Sequence, residues 1–198
     1  MSEFETQLTL LQRVKDPGDS QSWQEFVDLY QPLLLRFVIS RGVPESDASD
    51  IVQEIFAALL RSLPSFDLDQ RRGRFRTWLW SVSRNVMVDC ARRFHRRRKA
   101  EQNWVERLAE LRDDEDSRAQ WCAAHKKRVL EFVLERVRSA SQAKTWACFE
   151  QHVQMGRPAA EVGTELELTA NAVYVNASRI LQRIRDQCAE YGEALDDE

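Results

Sequence analysis

The sequence predicts an all-α protein built from two small helical domains joined by a linker. Three observations carry that expectation. Only six Gly and five Pro occur in 198 residues, too few for a turn-rich all-β chain. Apolar residues recur at helical spacing along most of the chain. Charge also changes sign abruptly near residue 100, the point expected to separate the two domains. The expected organisation is an extension over 1–19, a helical domain over 20–100, an acidic linker over 101–120, a second helical domain over 121–190 and a tail over 191–198.

Each element has a local reason. Asp19 to Ser22 offers N-cap residues, and Trp23, Phe26, Val27, Tyr30, Leu33, Leu34 and Phe37 then follow at helical spacing. Pro32 is expected to kink or split that helix, and Gly42-Val-Pro44 ends it. A second helix is expected from near Ser46 to about Ser62, with Ile51, Val52, Ile55, Phe56 and Leu59 inward. Asp50, Gln53, Ala57 and Arg61 then face outward, with Glu54 at the edge. Pro64 to Gly73 reads as a loop. A third helix starts near Arg74 with Phe75, Trp78, Leu79, Val82, Val86, Cys90 and Phe94 inward. Arg76, Trp80, Arg84 and Met87 fall on its outward side.

Beyond the acidic stretch, helices are expected over Ala119 to Val137 and Gln142 to Gln154. A short helix over Pro158 to Leu166 has Pro at its start. A tight turn at Glu167 and Leu168 leads to Thr169, which caps a last helix reaching about Cys188. Two helices joined by so short a turn form a helix-turn-helix. Val173, Ala177, Ile180, Leu181, Ile184 and Cys188 share the inner face of the last helix. Asn171, Ala172, Val175, Arg179 and Gln182 point outward, flanked by Asn176 and Arg183. That outer N-terminal surface is the part that enters a major groove, where Asn and Arg read base edges. Glu167 in a left-handed turn costs about 1 kcal/mol.

Charge points to a polyanionic partner. The net charge is −3, yet residues 61–100 hold twelve basic residues and three acids. That segment is +9, so the remainder is −12. Eleven of the twelve are Arg, whose planar fork suits phosphates and base edges. An outward Trp80 among arginines is suited to stacking an unpaired base beside a phosphate track. Covering a neighbouring helix is the equally weighted alternative for that indole. Residues 157–187 are neutral, with four basic and four acidic residues, so the second domain should bind DNA poorly without another module.

Other classes find little support. His95, His125 and His152 are scattered, Asp67 and Asp69 have no third ligand near them, and no HExxH, P-loop or GxSxG motif occurs. No catalytic or metal site and no cofactor are expected. No apolar run approaches the ~20 residues that span a bilayer. The first ten residues carry Glu3 and Glu5 and no basic cluster, unlike a secretory leader. Cys90, Cys122, Cys148 and Cys188 show no CxxC spacing, as expected of reduced cytoplasmic thiols.

Three stretches in series carry a resemblance. Asp47-Ala-Ser-Asp-Ile-Val-Gln-Glu-Ile-Phe56 resembles the polymerase-docking helix of bacterial sigma factors. Phe66-Asp-Leu-Asp and Gly73-Arg-Phe-Arg-Thr-Trp-Leu-Trp-Ser-Val-Ser-Arg-Asn85 resemble the promoter-melting segment of the extracytoplasmic-function (ECF) subfamily. Gly156-Arg-Pro-Ala-Ala-Glu-Val-Gly-Thr-Glu-Leu166, Asn171-Ala-Val-Tyr-Val and Ser178-Arg179 resemble its C-terminal helix-turn-helix. The resemblance implies two all-helical domains, regions two and four, and a non-enzymatic transcription initiation factor. It places Asp50, Gln53 and Glu54 against the β′ clamp helices of core RNA polymerase, with the β flap as a further contact. It assigns minus-ten recognition and melting to Arg72, Arg74, Arg76, Trp80, Arg84, Asn85, Arg92 and Arg93. It assigns minus-thirty-five reading to Asn171, Ala172, Val175, Asn176, Arg179 and Arg183. Promoter DNA, core polymerase and an anti-sigma factor are the implied partners, without membrane insertion. Two features depart from the pattern: Glu167 stands at a turn position usually held by Gly, and Gly163 where Ala is usual. The rival class is a stand-alone helix-turn-helix regulator, which leaves the basic block and the Asp50/Gln53/Glu54 face idle.

Overall fold

The computed structural model describes residues 10–16, 18–66, 74–97 and 115–191. Among these, eight α-helices are found: α1 (Leu10–Arg13), α2 (Ser20–Ser40), α3 (Glu45–Ser62), α4 (Arg74–Arg97), α5 (Glu115–Ser139), α6 (Ala143–Phe149), α7 (Ala159–Leu166) and α8 (Ala170–Glu190). A 3-10 turn, Leu63–Ser65, follows α3, and a π-helical turn, Glu150–Gln154, follows α6. The all-helical class expected from sequence is what forms.

The chain divides into two compact units, 1–128 and 129–198. The boundary expected near residue 100 falls within 98–114, outside the described residues. Residues 101–114 of the expected linker lie outside the described residues. The last six, 115–120, are the first turns of α5. An acidic start suits a helix N-terminus, because Glu115 and Asp116 face the positive end of the helix dipole.

In the first unit α3 packs on both α2 and α4. Phe26, Leu29, Tyr30, Leu33, Leu34 and Phe37 of α2 are buried with Ile51, Val52, Ile55 and Leu59 of α3. Each such burial is worth about 1.5–3 kcal/mol. Asp19 caps α2 as expected, accepting from the Ser22 amide at 2.9 Å and the Ser22 hydroxyl at 2.6 Å. The hydroxyl bond, then the amide bond, hold the Asp19 carboxyl below its ordinary pKa. Leu10, Leu11 and Val14 are buried, and Arg13 pairs with Glu25 at 3.3 Å.

Pro32 does not split α2, which runs unbroken through it. Proline removes the amide that would donate to the carbonyl of Asp28, four residues back. The guanidinium of Arg128, late in the first unit, supplies the replacement. It donates to the Asp28 carbonyl at 2.8 Å and to the Leu29 carbonyl at 3.0 Å. A distant side chain thus mends the proline defect and ties α5 to α2.

The first half of α5 also closes the aromatic core. Trp121 is buried, with its ring 5.0 Å from Phe37 and 5.8 Å from Trp80, and its Nε1 donates to the Arg76 carbonyl at 3.0 Å. Arg41 lays its guanidinium over Phe37 and Trp80, 5.2 and 5.8 Å from the ring centroids, and donates to the Ser117 hydroxyl at 3.4 Å. His125, 1% exposed, lies 5.6 Å from the Tyr30 ring and is a core residue.

In the second unit Cys148, Ala159, Val162 and Val173 form a core sealed by Leu166, Leu168 and Ala170. Phe132 meets Tyr191 edge-on at 5.7 Å, and Arg138 stacks 5.9 Å from the centre of Trp146.

Replacing Arg128 by Met should lower stability by about 1–2 kcal/mol in urea titrations. The same substitution in a Pro32→Ala background, where an amide can again serve Asp28, should cost clearly less. Equal costs in both backgrounds would refute the repair.

Candidate nucleic-acid interface

On α3, burial of Ala48, Ile51, Val52, Ile55 and Leu59 fixes the opposite face toward solvent. Asp50, Gln53 and Glu54 are exposed there, as expected. Leu60 shares that face and is 51% exposed. It gives the acidic-polar surface an apolar element that the sequence reading overlooked. The signal was available, because at 100° per residue Leu60 falls beside Gln53 and Ala57.

Helix α4 corrects the expected facing. Trp80, expected outward, is 1% exposed, and Met87, also expected outward, is fully buried. Both are covered because α4 buries two sides, and Phe37, Trp121 and Arg41 occupy the Trp80 side. The covering role is thus the correct reading of that indole. Trp78, Val82 and Val86, expected inward, are half-buried. The ring of Trp78 stacks 4.7 Å from Phe66 and 5.6 Å from Phe75. With Asn85, Asp89, Arg92 and Arg93 exposed, the outward face of α4 runs along Trp78, Ser81, Val82, Asn85, Asp89 and Arg92. An aromatic does share the polar face, and it is Trp78.

The remaining basic positions sort as follows. Arg72 lies outside the described residues, and Arg74 is the first residue of α4. Arg76 and Arg84 are half-buried. Arg92 pairs with Asp89 at 3.5 Å. Arg93 reaches Glu54 of α3 at 3.5 Å and donates to the Cys90 sulfur at 3.1 Å. An exposed pair of this kind adds little stability, but it joins the α3 polar face to the α4 basic face. Burial pushes the Cys90 thiol up, with the Arg93 bond opposing.

The helix-turn-helix is built as expected from α7 and α8. Thr169 caps α8, accepting from the Ala172 amide at 3.1 Å. Glu167 takes the left-handed conformation at φ 56°, ψ 46°. The Gly163 carbonyl accepts from the amides of Glu167 and Leu168, the latter at 2.8 Å. A Cβ on residue 163 would stand 2.6 Å from the Leu168 carbonyl oxygen. The two departures from the usual pattern are therefore linked: the tight turn brings backbone onto α7, and only glycine leaves room for it.

Asn171, Val175, Arg179 and Arg183 are exposed on α8, and Ala172 is half-buried. Asn176, expected to flank the outer face, is half-buried. Its Nδ2 donates to the buried Cys148 sulfur at 3.8 Å. Arg183 donates to the Ser141 hydroxyl at 3.4 Å. Arg157 braces the start of the motif, donating to Gln151 at 2.5 Å and to Glu165 at 2.7 Å. The Arg157 guanidinium holds the Glu165 carboxyl below its ordinary range. That stabilisation is present above the ordinary glutamate pKa and is lost as pH falls through the lowered one.

Among the described residues no helix is long and apolar enough to cross a membrane. Among them no group of three or more His, Cys, Asp or Glu is gathered to hold a metal.

The first unit is thus a helical domain with an acidic-polar face on one helix and, on the next, a polar face bearing Trp78, Asn85 and the Asp89–Arg92 pair. Residues 26–100 match the Sigma-70 region 2 family. The chain is 39% identical over 75 residues to the RNA polymerase sigma factor NccH of Alcaligenes xylosoxydans xylosoxydans, covering 38% of this chain and 39% of that protein. It is 34% identical over 75 residues to the RNA polymerase sigma factor CnrH of Cupriavidus metallidurans, covering 38% of each. It is 39% identical over 86 residues to the ECF RNA polymerase sigma-E factor of Escherichia coli strain K12, covering 43% of this chain and 42% of that protein. The match spans about two-fifths of the length of these relatives. Residues 26–100 of the chain thus carry a sigma-70 region 2 domain.

Glu167→Gly should stabilise the second unit by about 1 kcal/mol. Gly163→Ala should destabilise it by about 1–3 kcal/mol through forced displacement of the Leu168 carbonyl. Chemical denaturation of the two variants checks both signs.

Proposed function

We propose that the chain is an RNA polymerase sigma factor that directs core polymerase to promoters and starts DNA-templated transcription in the cytoplasm, without enzymatic activity of its own. The observation that carries this reading is the outward Asp50/Gln53/Glu54 face beside the Trp78, Asn85 and Arg92 face of α4, within a strongly basic segment that matches a sigma-70 region 2 domain. One face takes a protein and the other takes DNA, and a promoter-specificity subunit needs both at once.

In this reading Asp50, Gln53, Glu54 and Leu60 dock on the β′ clamp helices of core polymerase. Trp78, Asn85, Arg92 and the arginines leading into α4 hold the separated minus-ten strand. Stacking of an unpaired base on an indole is worth about 1–3 kcal/mol, which helps offset the cost of unstacking it. The second unit serves as a region-four helix-turn-helix, contacting the β flap and reading the minus-thirty-five duplex through α8. Its near-neutral charge fits a module that relies on the polymerase to hold it on DNA. An anti-sigma factor is a further partner of this class. A stand-alone regulator would leave the α3 and α4 faces without a role.

Added to core RNA polymerase, the chain should give transcription from a cognate promoter. Gln53→Ala with Glu54→Lys should weaken association by roughly tenfold, about 1.4 kcal/mol. Trp78→Ala should impair strand opening, read by permanganate reactivity, more than initial duplex contact. Tight binding to duplex DNA at physiological salt, with no association with core polymerase, would identify a stand-alone regulator instead.

A further inference from the structure

Val175 occupies an unusual place. The buried stripe of α8 is Val173, Ala177, Ile180, Ile184 and Cys188. At 100° per residue the direction opposite that stripe falls on Val175. A β-branched residue at the centre of a helix's solvent face gives up rotamer freedom for only partial burial. Val175 is nonetheless 40% exposed, beside Tyr174 at 54%. One turn before it stands Asn171 and one turn after it Arg179, both exposed.

Other polar residues of this surface are turned to neighbours. Gln182 donates to Asp186 at 2.9 Å and Arg183 donates to Ser141 at 3.4 Å. The outer tip of α8 therefore offers an amide, a branched hydrocarbon and a guanidinium in sequence, over about 12 Å of helix. In a major groove the amide suits adenine, the guanidinium suits guanine, and the thymine C5-methyl is the apolar group on offer.

We propose that Val175 is a specificity-determining residue that packs on the C5-methyl of a thymine, with Asn171 and Arg179 hydrogen-bonding to flanking base edges. The inference rests on the reading of α8 as the groove-entering helix of a sigma factor. It goes beyond that reading by naming the base feature and the residue that selects it. An apolar pocket on a protein is the competing occupant. The flanking Asn and Arg favour DNA, because such a pocket would leave both polar heads poorly matched.

The test uses the full chain bound to core RNA polymerase and a randomised double-stranded DNA pool. In the selected duplex each thymine is replaced in turn by deoxyuridine, which removes only the methyl. One position should lose about three- to fivefold in affinity, the worth of one buried methyl. Val175→Ala should abolish the thymine–uracil difference there, and Val175→Thr, which keeps a methyl, should retain it. Both variants alter an exposed helical position, so folding is preserved. Uracil tolerated at every position, or a difference that survives Val175→Ala, overturns the methyl contact. Weakened binding of Val175→Ala to core polymerase without DNA assigns the residue to a protein contact and also overturns it. Loss of selection in Asn171→Ala and Arg179→Ala, with Val175 indifferent, removes the methyl contact alone. Unchanged selection in all three alanine variants removes α8 as the DNA reader.

Discussion

Trp121 closes the first domain. Its indole fills the slot between Phe37 and Trp80 and caps the Arg76 carbonyl, while Arg41 roofs the same cluster. Removing so large a buried side chain costs about 3–5 kcal/mol in typical cores. That magnitude is a large share of the stability of a small domain. The other features of the unit depend on this closure. It makes Trp80 structural and leaves Trp78 as the aromatic on the polar side of α4. It also brings Arg128 into register with the carbonyls that Pro32 loosens.

The charged residues divide the work differently. Helix α3 packs on both α2 and α4, which leaves one exposed arc carrying Asp50, Gln53, Glu54, Leu60 and Arg61. Helix α4 is buried on two sides, which leaves Arg92 and Arg93 exposed and Arg76 and Arg84 half-buried. Glu54 and Arg93 meet where the two surfaces adjoin. Their pairing is worth little in water. Its consequence is geometric: an acidic-polar face and a basic face lie next to each other on adjacent helices. A protein that holds a large partner and a DNA strand together requires that adjacency.

Helix existence was legible because periodicity and caps agreed. Asp19, Thr169 and the left-handed Glu167 all behave as their positions demand. Three features were not legible, each for a physical reason. Periodicity names one inner face per helix, so it misassigned Trp78 and Trp80 on a helix with two. The tolerance of Pro32 depends on an arginine from a distant part of the chain. The acidic composition of 101–120 resembles a linker, yet the acids at 115–116 begin a helix whose apolar side is supplied later by Trp121 and His125. Among site residues the α3 face and the tip of α8 were read correctly for exposure. Asn176, at the flank, is half-buried and donates to the Cys148 sulfur.

Hydrogen–deuterium exchange over residues 115–128 in the full chain tests the account most directly. If Trp121 and Arg128 join this helix to the first domain, its amides from about Ser117 onward exchange slowly, with protection like that of α4. Trp121→Ala then releases both segments together. Rapid exchange over 117–128 in the unaltered protein, with α4 still protected, would contradict the closure and return Trp80 to the surface.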